Sequence, residues 1–293
     1  MAARAAGIGR MSLLCVYAGR KVALLTQHGK ERVIAPVLEP GLRCVIEHVT
    51  GFDTDQLGTF TRETPRPGTQ LDAARRKARE GMKLSGLPVG MASEGSFASD
   101  PFTGLFPWNV ELLVWIDDSL GIEVVGMAQG AARGAHVQTS DWVEAEAFAL
   151  REDFPRHRLV LRPQGQDDPR IHKGIADWNR LKSSFEECRA QSSNQQVFIE
   201  TDLRAFANPS RMRHIEQAAR DLLQRIQSCC PVCETPGYWV SERQPGLPCS
   251  ACGLATSSYR NEVWTCLRCE HKSVKARTDR ALAEPRHCSY CNP

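Results

Sequence analysis

No apolar run in this 293-residue chain approaches the ~18 residues a membrane helix needs, so a membrane-spanning role is not expected. The net charge is only +3, which gives no reason to make a polyanion the main partner. There is no Gly-x-Ser-x-Gly elbow, no Walker loop and no dinucleotide fingerprint. A serine hydrolase or a conventional nucleotide-cofactor enzyme therefore has no support. Low-complexity tracts are lacking too. Met1–Arg10 holds two arginines and no acid. The expectation there is a disordered tail over 1–17, or a start at Met11, rather than a transit peptide, and a cytoplasmic protein.

What is present is ordinary in bulk: 42% hydrophobic and 24% charged, as in soluble globular chains. The length suits one sizeable domain with an appendage. The exception is cysteine, twelve in all. Eight of them form four pairs with a two-residue gap: Cys230/Cys233, Cys249/Cys252, Cys266/Cys269 and Cys288/Cys291. Fifteen residues separate the first pair from the second, and eighteen the third from the fourth. Both gaps fall in the window of four-cysteine zinc sites. A two-residue gap lets one knuckle aim two thiolates at one ion, and a second knuckle completes the tetrahedron. Two structural zinc ions are expected, in tandem ribbons over 228–293. The default pairing joins first to second and third to fourth; first with third and second with fourth satisfies the same spacings. Gly253 and Asn292 each follow a second cysteine and suit the left-handed turn of a knuckle. His271 and His287 flank cysteines but each site already has four sulfurs. Disulfides are the competing reading, and a reducing cytosol argues against them. Cys15, Cys44 and Cys188 stand alone and read as small buried apolar residues; Cys229 falls outside the pair spacing.

The ribbon arms carry Tyr238, Trp239, Tyr259, Trp264 and Tyr290 among scattered basic residues. Structural or protein-docking use is weighed above nucleic-acid contact, which would be weak and salt-sensitive.

Ahead of the cysteines, strands alternate with helices. Lys21–Thr26, Arg43–Val49, Val89–Ser93, Glu111–Asp117, Glu123–Ala128, Arg158–Arg162 and Gln196–Thr201 read as strands. Helices are expected near 30–38, stopped by Pro40-Gly41, and from Gly68-Thr69 to Ser85. Others start at Thr139 or Ser140, around Trp178, Leu181 and Phe185, and after Asn208-Pro209. The polar stretch 50–68, with Asp53, Asp55, Arg62 and Glu63, reads as a long loop. The fold class expected is α/β: a three-layer domain with a mixed sheet over 18–227, ending in a long helix.

Three polar constellations could carry chemistry. Thr26–Lys30 follows a strand and opens a helix, where free N–H groups favour phosphate. Arg75 and Lys77 add cations from the next helix, although solvated surface charge is the plainer reading of that run. Glu94-Gly95 lies just past a strand, where open sheets place ligands. Glu94 would hold a magnesium ion while Arg75, Lys77 and Lys30 contact phosphate oxygens. Glu200 and Asp202, two apart, would point the same way beside a helix start with Arg204 and Arg211. They would bind a metal–phosphate ligand or simply pair with those arginines. Asp167–Gly174, with His172 and Lys173, is a weaker polar cluster.

The order Thr26-x-His28-Gly29-Lys30, then Ala74-Arg75-x-Lys77-Ala78, then Val89-Gly90-Met91-Ala92-Ser93-Glu94-Gly95, resembles the inosine/xanthosine triphosphate pyrophosphatase superfamily over residues 21–130. His28 stands where that pattern has Asn, and the pattern's Lys lies one residue later than Lys30. The resemblance implies an elongated α/β fold and magnesium-dependent cleavage of a non-standard nucleotide to monophosphate and pyrophosphate. The whole chain also looks like an uncharacterised bacterial family with this α/β-plus-cysteine layout, which implies no activity. The function expected is thus a metal-dependent nucleotide or phosphate-ester hydrolase. The alternative is a ribbon-bearing binding protein without catalysis.

Overall fold

The computed structural model describes residues 16–52 and 68–293; residues 1–15 of the expected tail and most of the loop expected at 50–68 lie outside them, while Tyr17 at the end of that tail is buried against Trp115. Contacts divide the described chain into two units. One comprises Tyr17–Ile116 and Val125–Leu223, the other Asp117–Val124 and Gln224–Pro293.

The first unit begins β1 (Lys21–Leu25), α1 (Glu31–Leu42), β2 (Val45–Val49), α2 (Gln70–Ser85), β3 (Val89–Ser99). β1 pairs in parallel with β2 and with β3. β4 (Pro107–Asp117) and β5 (Ile122–Ala131) complete a five-stranded sheet in the order β2-β1-β3-β4-β5. Short connections before β4 and before β5 are those of antiparallel hairpins, so the sheet is mixed, as expected. α2 starts with a capping box, Thr69 with Asp72, which satisfies two of its orphan N–H groups. Its Ala74, Ala78 and Met82 pack on Ala92, Leu112, Val114 and Ile116. Gly126 of β5 faces the other way, and a Cβ there would sit 2.4 Å from Leu222. Leu222 belongs to α5 (Pro209–Gln227), and α5 also meets α1 where Leu223 covers Gly41. The three layers are α2, the sheet, and α1 with α5.

Two boundaries differ from expectation. α1 runs through Pro36 and Pro40 and stops at left-handed Arg43. Val37, Leu38 and Leu42 stay buried, and that packing outweighs the missing proline N–H groups. β3 continues through Glu94 to Ser99, so Glu94 lies within a strand rather than just past one. Hairpin pairing with β4 overrides the polar Ser-Glu-Gly-Ser signal.

The later strands form a second sheet. β6 (His136–Thr139), β7 (Leu159–Pro163), β8 (His172–Ile175) and β9 (Val197–Thr201) lie in the order β6-β9-β7-β8, all antiparallel. β6 and β8 are too short to show an alternation and escape sequence reading. α3 (Trp142–Arg151), capped by Asp141, and α4 (Trp178–Gln191), capped by Asp177, cover one face. Phe148, Leu181, Phe185 and Cys188 meet Leu159, Leu161, Val197 and Ile199 there.

The second unit holds β10 (Trp239–Pro245), β11 (Tyr259–Thr265) and β12 (Lys272–Ala276), in the order β10-β11-β12. Both pairings are antiparallel.

Candidate metal centres and a basic crevice

The eight paired cysteines gather into two sets: Cys230, Cys233, Cys266, Cys269, and Cys249, Cys252, Cys288, Cys291. The default first-with-second pairing is therefore corrected to first with third and second with fourth. The strands dictate it. One knuckle precedes β10, the next lies between β10 and β11, the third between β11 and β12, the last after β12. Antiparallel order returns the start of β10, the end of β11 and the start of β12 to one end, with Trp239 opposite Thr265 and Thr265 opposite Lys272. Alternate knuckles share an end, and a seven-residue strand keeps the two ends roughly 20 Å apart. A signal for this was present: Pro-Gly pairs bracket β10 at Pro236-Gly237 and Pro245-Gly246 instead of marking a turn in its middle.

Sulfur separations test what the sets can hold. Cys230–Cys269 is 3.7 Å, Cys233–Cys266 3.5 Å, Cys249–Cys291 3.9 Å and Cys252–Cys288 3.6 Å. A tetrahedron with metal–sulfur bonds of about 2.3 Å has edges of about 3.8 Å, whereas a disulfide needs about 2.05 Å. Backbone amides of Val232, Ala251 and Arg268 donate to Cys230, Cys249 and Cys266, as negative sulfurs require. Left-handed residues follow three knuckles: Glu234, Gly253 and Glu270. Asn292 is not among the positive-φ residues, so that expectation held for Gly253 alone. Within each set the neighbouring groups perturb the thiols. Cys233 is pulled down to about 6, chiefly by Thr235, while Cys291 is pushed up to about 12, chiefly by Cys252. Four sulfurs this close need a cation to ionise together. His271 and His287 join neither set. Cys44 and Cys188 are buried, their thiols raised to about 11 and about 12 by desolvation, which suits apolar packing.

In the first unit the strand order places β2 on one side of β1 and β3 on the other. The crevice outside the carboxyl ends of β1 and β3 is thus a topological switch point, where open α/β sheets take ligands. After β1 the chain turns through His28 (φ 68°) and Gly29 (φ 72°) into right-handed Lys30. Positive φ at Gly29 costs nothing sterically, and a switch from left- to right-handed residues turns successive N–H groups into one concavity. α1 has no side-chain cap at Lys30; the Arg32 and Val33 amides bond back to Gly29 and Lys30, so the amides ahead of them are the ones left without a helical partner.

Behind this turn lies a buried polar network. Lys30 Nζ donates to the Ser93 carbonyl at 3.0 Å, tying the turn to β3. Lys77 Nζ meets Glu94 Oε2 at 2.6 Å, with side chains only 10% and 4% exposed. Arg211 Nε lies 2.6 Å from Glu111 Oε1, and Asn109 donates to the same oxygen while meeting His214. Gly95 is needed there, since a Cβ would fall 2.1 Å from Glu111 Oε1. Burial, then the cation of Arg211, pulls Lys30 down to about 7.

The rim is formed by His28, Gly29, Arg32, Arg158, Phe206 and Met212, around a cavity of about 530 Å³. Arg158 and Arg204 rest on the Phe206 ring, 5.2 and 4.8 Å from its centroid. Burial and the cations of Lys30, Arg211 and Arg204 hold His28 down to about 4, against only Asp202 on the other side. The cavity is electropositive, and Arg158 has no carboxylate partner among the described residues.

Of the residues expected to act together, Lys30, Lys77 and Glu94 do converge. Arg75 does not join them. It is 43% exposed and meets Asp72, because the buried face of α2 runs through Ala74, Lys77 and Ala78. Glu200 and Asp202 are not a convergent pair. β9 ends at Thr201; Glu200 lies 3.8 Å from Arg162. Both oxygens of Asp202 are taken by Arg204, whose backbone N–H also donates to it. Asp202 thus orders the turn. Likewise Asp168 of the Asp167–Gly174 cluster binds Arg170. Among the described residues no ligand set other than the two cysteine groups comes together. With Glu94 held by Lys77, the carboxylates do not fit a magnesium ion. Sequence reading missed Arg158, Phe206 and the Glu111–Arg211 pair. His28-Gly29 was legible as a helix-opening turn, but nothing marks Arg158 or a partner one hundred residues away.

Among the described residues no helix is long and apolar enough to cross a membrane. No curated protein matches the chain. Residues 77–293 match a domain of unknown function, DUF6671. That stretch takes in Lys77, Glu94, Arg158 and all eight paired cysteines, and it starts after the β1–α1 turn. Spanning about three-quarters of the sequence, the match shows that the chain belongs to the DUF6671 family.

Proposed function

We propose that this is a phosphoester-binding α/β protein whose two cysteine sets hold structural zinc. The observation supporting the ligand site is the uncapped start of α1 opening, with Arg158 and His28, into one electropositive cavity. Backbone amides at a helix start and a guanidinium without an acid are the recognition chemistry of phosphate. A cavity of about 530 Å³ has the size of a nucleotide-class ligand. In this reading Lys30 fixes the amide turn through Ser93, and Lys77 with Glu94 braces β3. Hydrolysis of a nucleotide or phosphate ester is the activity to look for, with Lys30 the nearest buried amine. The zinc assignment rests on all-sulfur ligation with tetrahedral edge lengths, which zinc takes without redox change.

Calorimetry of the intact protein with AMP, ATP and inosine triphosphate tests the site, with phosphate and pyrophosphate release followed in parallel. Binding is expected, and Arg158→Ala should weaken it roughly tenfold to a hundredfold, the value of a charge-assisted hydrogen bond. Failure of all three to bind at millimolar concentration refutes the assignment. Release from a bound triphosphate extends it to hydrolysis.

A further inference from the structure

The ribbon sheet has two unlike faces. Register places Arg243 opposite Glu262, Glu262 opposite Lys275, and Trp264 opposite Ser273. Since side chains alternate along a strand, Arg243, Glu262, Trp264 and Lys275 share one face, and a register shift that skips the exposed Arg260 brings Tyr259 to the end of that face. Lys275 Nζ lies 3.4 Å from the Trp264 ring centroid. At one end of the sheet Tyr259 is flanked by Arg243 and Arg277, 4.9 and 4.0 Å from its centroid. A cleft of about 410 Å³ opens there, lined by Arg243, Ser257, Tyr259, Arg277, Arg280 and His287 among others, with no carboxylate in its wall.

Acids meet three of these cations, and one of them, Glu262, lies on the same face in the middle strand. Glu262 is 3.3 Å from Arg243, and Asp279 binds Arg277 and approaches Arg280. The Arg243–Glu262 and Arg280–Asp279 pairs are partly exposed and contribute little, so a phosphate can replace the carboxylate there, whereas Arg277, 11% exposed, is held by both oxygens of Asp279. Arg260 and Lys275 are exposed and have no acidic partner among the described residues. Cations beside aromatic rings along a sheet face are the recognition chemistry of single strands: the charges track the backbone and Tyr259, in the cleft, can accept a base, while Trp264 packs on the Tyr238 core.

The geometry points to a binding site for the phosphodiester backbone of single-stranded nucleic acid, entering the Arg243–Tyr259–Arg277 cleft and continuing past Lys275 and Trp264. Three or four phosphates are within the reach of these cations. Affinity should then fall with salt at a slope of about −2 to −3, or roughly 20- to 50-fold between ~50 and ~200 mM. The site is separate from the crevice at α1 and does not rest on it.

Fluorescence anisotropy of the intact, metal-loaded protein with a labelled single strand of about 20 nucleotides tests this, as oligothymidylate and as oligouridylate. Saturable binding with that salt slope is expected. Arg260→Glu combined with Lys275→Glu should weaken it roughly tenfold or more, with metal content and circular dichroism unchanged. Lys275→Gln alone, at an exposed position, gives a smaller loss in the same direction if the double variant fails to fold. Arg158→Ala should leave it unaltered, whatever that change does to phosphoester binding. No binding at low salt overturns the proposal, as does binding indifferent to charge reversal. Equal competition by AMP would make the cleft a mononucleotide site. Equal competition by polyglutamate would make it a docking face for acidic protein, and either result displaces the nucleic-acid assignment.

Discussion

The two units hold themselves together by different means. In the α/β unit, buried leucine, isoleucine, valine and phenylalanine from every layer meet across two sheets. In the ribbon unit the small core that includes Tyr238 has Cys230 and Cys266 as its other buried members, with Cys233 and Trp264 packed against it. A sheet of five to seven residues per strand cannot bury enough apolar surface to offset its conformational entropy. Metal binding is expected to take the place of the missing core. Apolar layers fix the crevice, and a metal held at each cysteine set would brace the ribbon sheet at its two ends.

The largest effect expected is therefore metal loss. Structural zinc sites contribute about 10 kcal/mol or more in metal-dependent domains, so chelation should unfold 228–293 and spare the α/β unit. Collapse of both would break the comparison. Cysteine variants sharpen it. Native mass spectrometry should find one metal in Cys233→Ser/Cys266→Ser and none in Cys233→Ser/Cys249→Ser; the reverse would restore first-with-second pairing.

Next comes the buried ion pair. Glu111→Ala leaves Arg211 buried without its carboxylate, which costs about 3–5 kcal/mol. Because the α/β unit has a large apolar core, Glu111→Met with Arg211→Met should recover most of that loss. A denaturant midpoint in Glu111→Ala equal to wild type would show that the pair does not contribute as described.

The smallest effect is a pH dependence. Lys30 titrates near 7 in the folded protein against about 10.4 unfolded. Between those values the unfolded chain binds the extra proton, so stability rises with pH across that window. Lys30→Met removes the term. The increase in melting temperature from pH 7 to 9 should be smaller in the variant than in wild type; an equal increase would mean that Lys30 is not desolvated.

Legibility followed the same division. Metal ligands declare themselves by local spacing, so all eight cysteines were visible in sequence, but pairing is set by strand direction and was read the wrong way round. Apolar periodicity exposed α2, β4 and α5, while β6 and β8, at four residues each, carry too little pattern. In the crevice, Lys30, Lys77 and Glu94 were visible because each lies near a recognisable helix or strand. The departure of Arg75 follows from helical phase, one position off the face that carries Lys77. Arg158 lies just ahead of β7 and Phe206 in a short 3-10 turn after β9, and only folding brings them to His28.

Amide chemical shifts during titration with AMP report directly on whether the β1–α1 crevice holds a phosphoester. Shifts are expected at Gly29, Lys30, Glu31, Arg158 and Phe206, with a rise in the titration midpoint of His28 from about 4 and little change at the β1–α1 turn in Arg158→Ala. Shifts confined to residues 228–293, or a His28 midpoint unmoved by saturating AMP, would contradict phosphoester binding there.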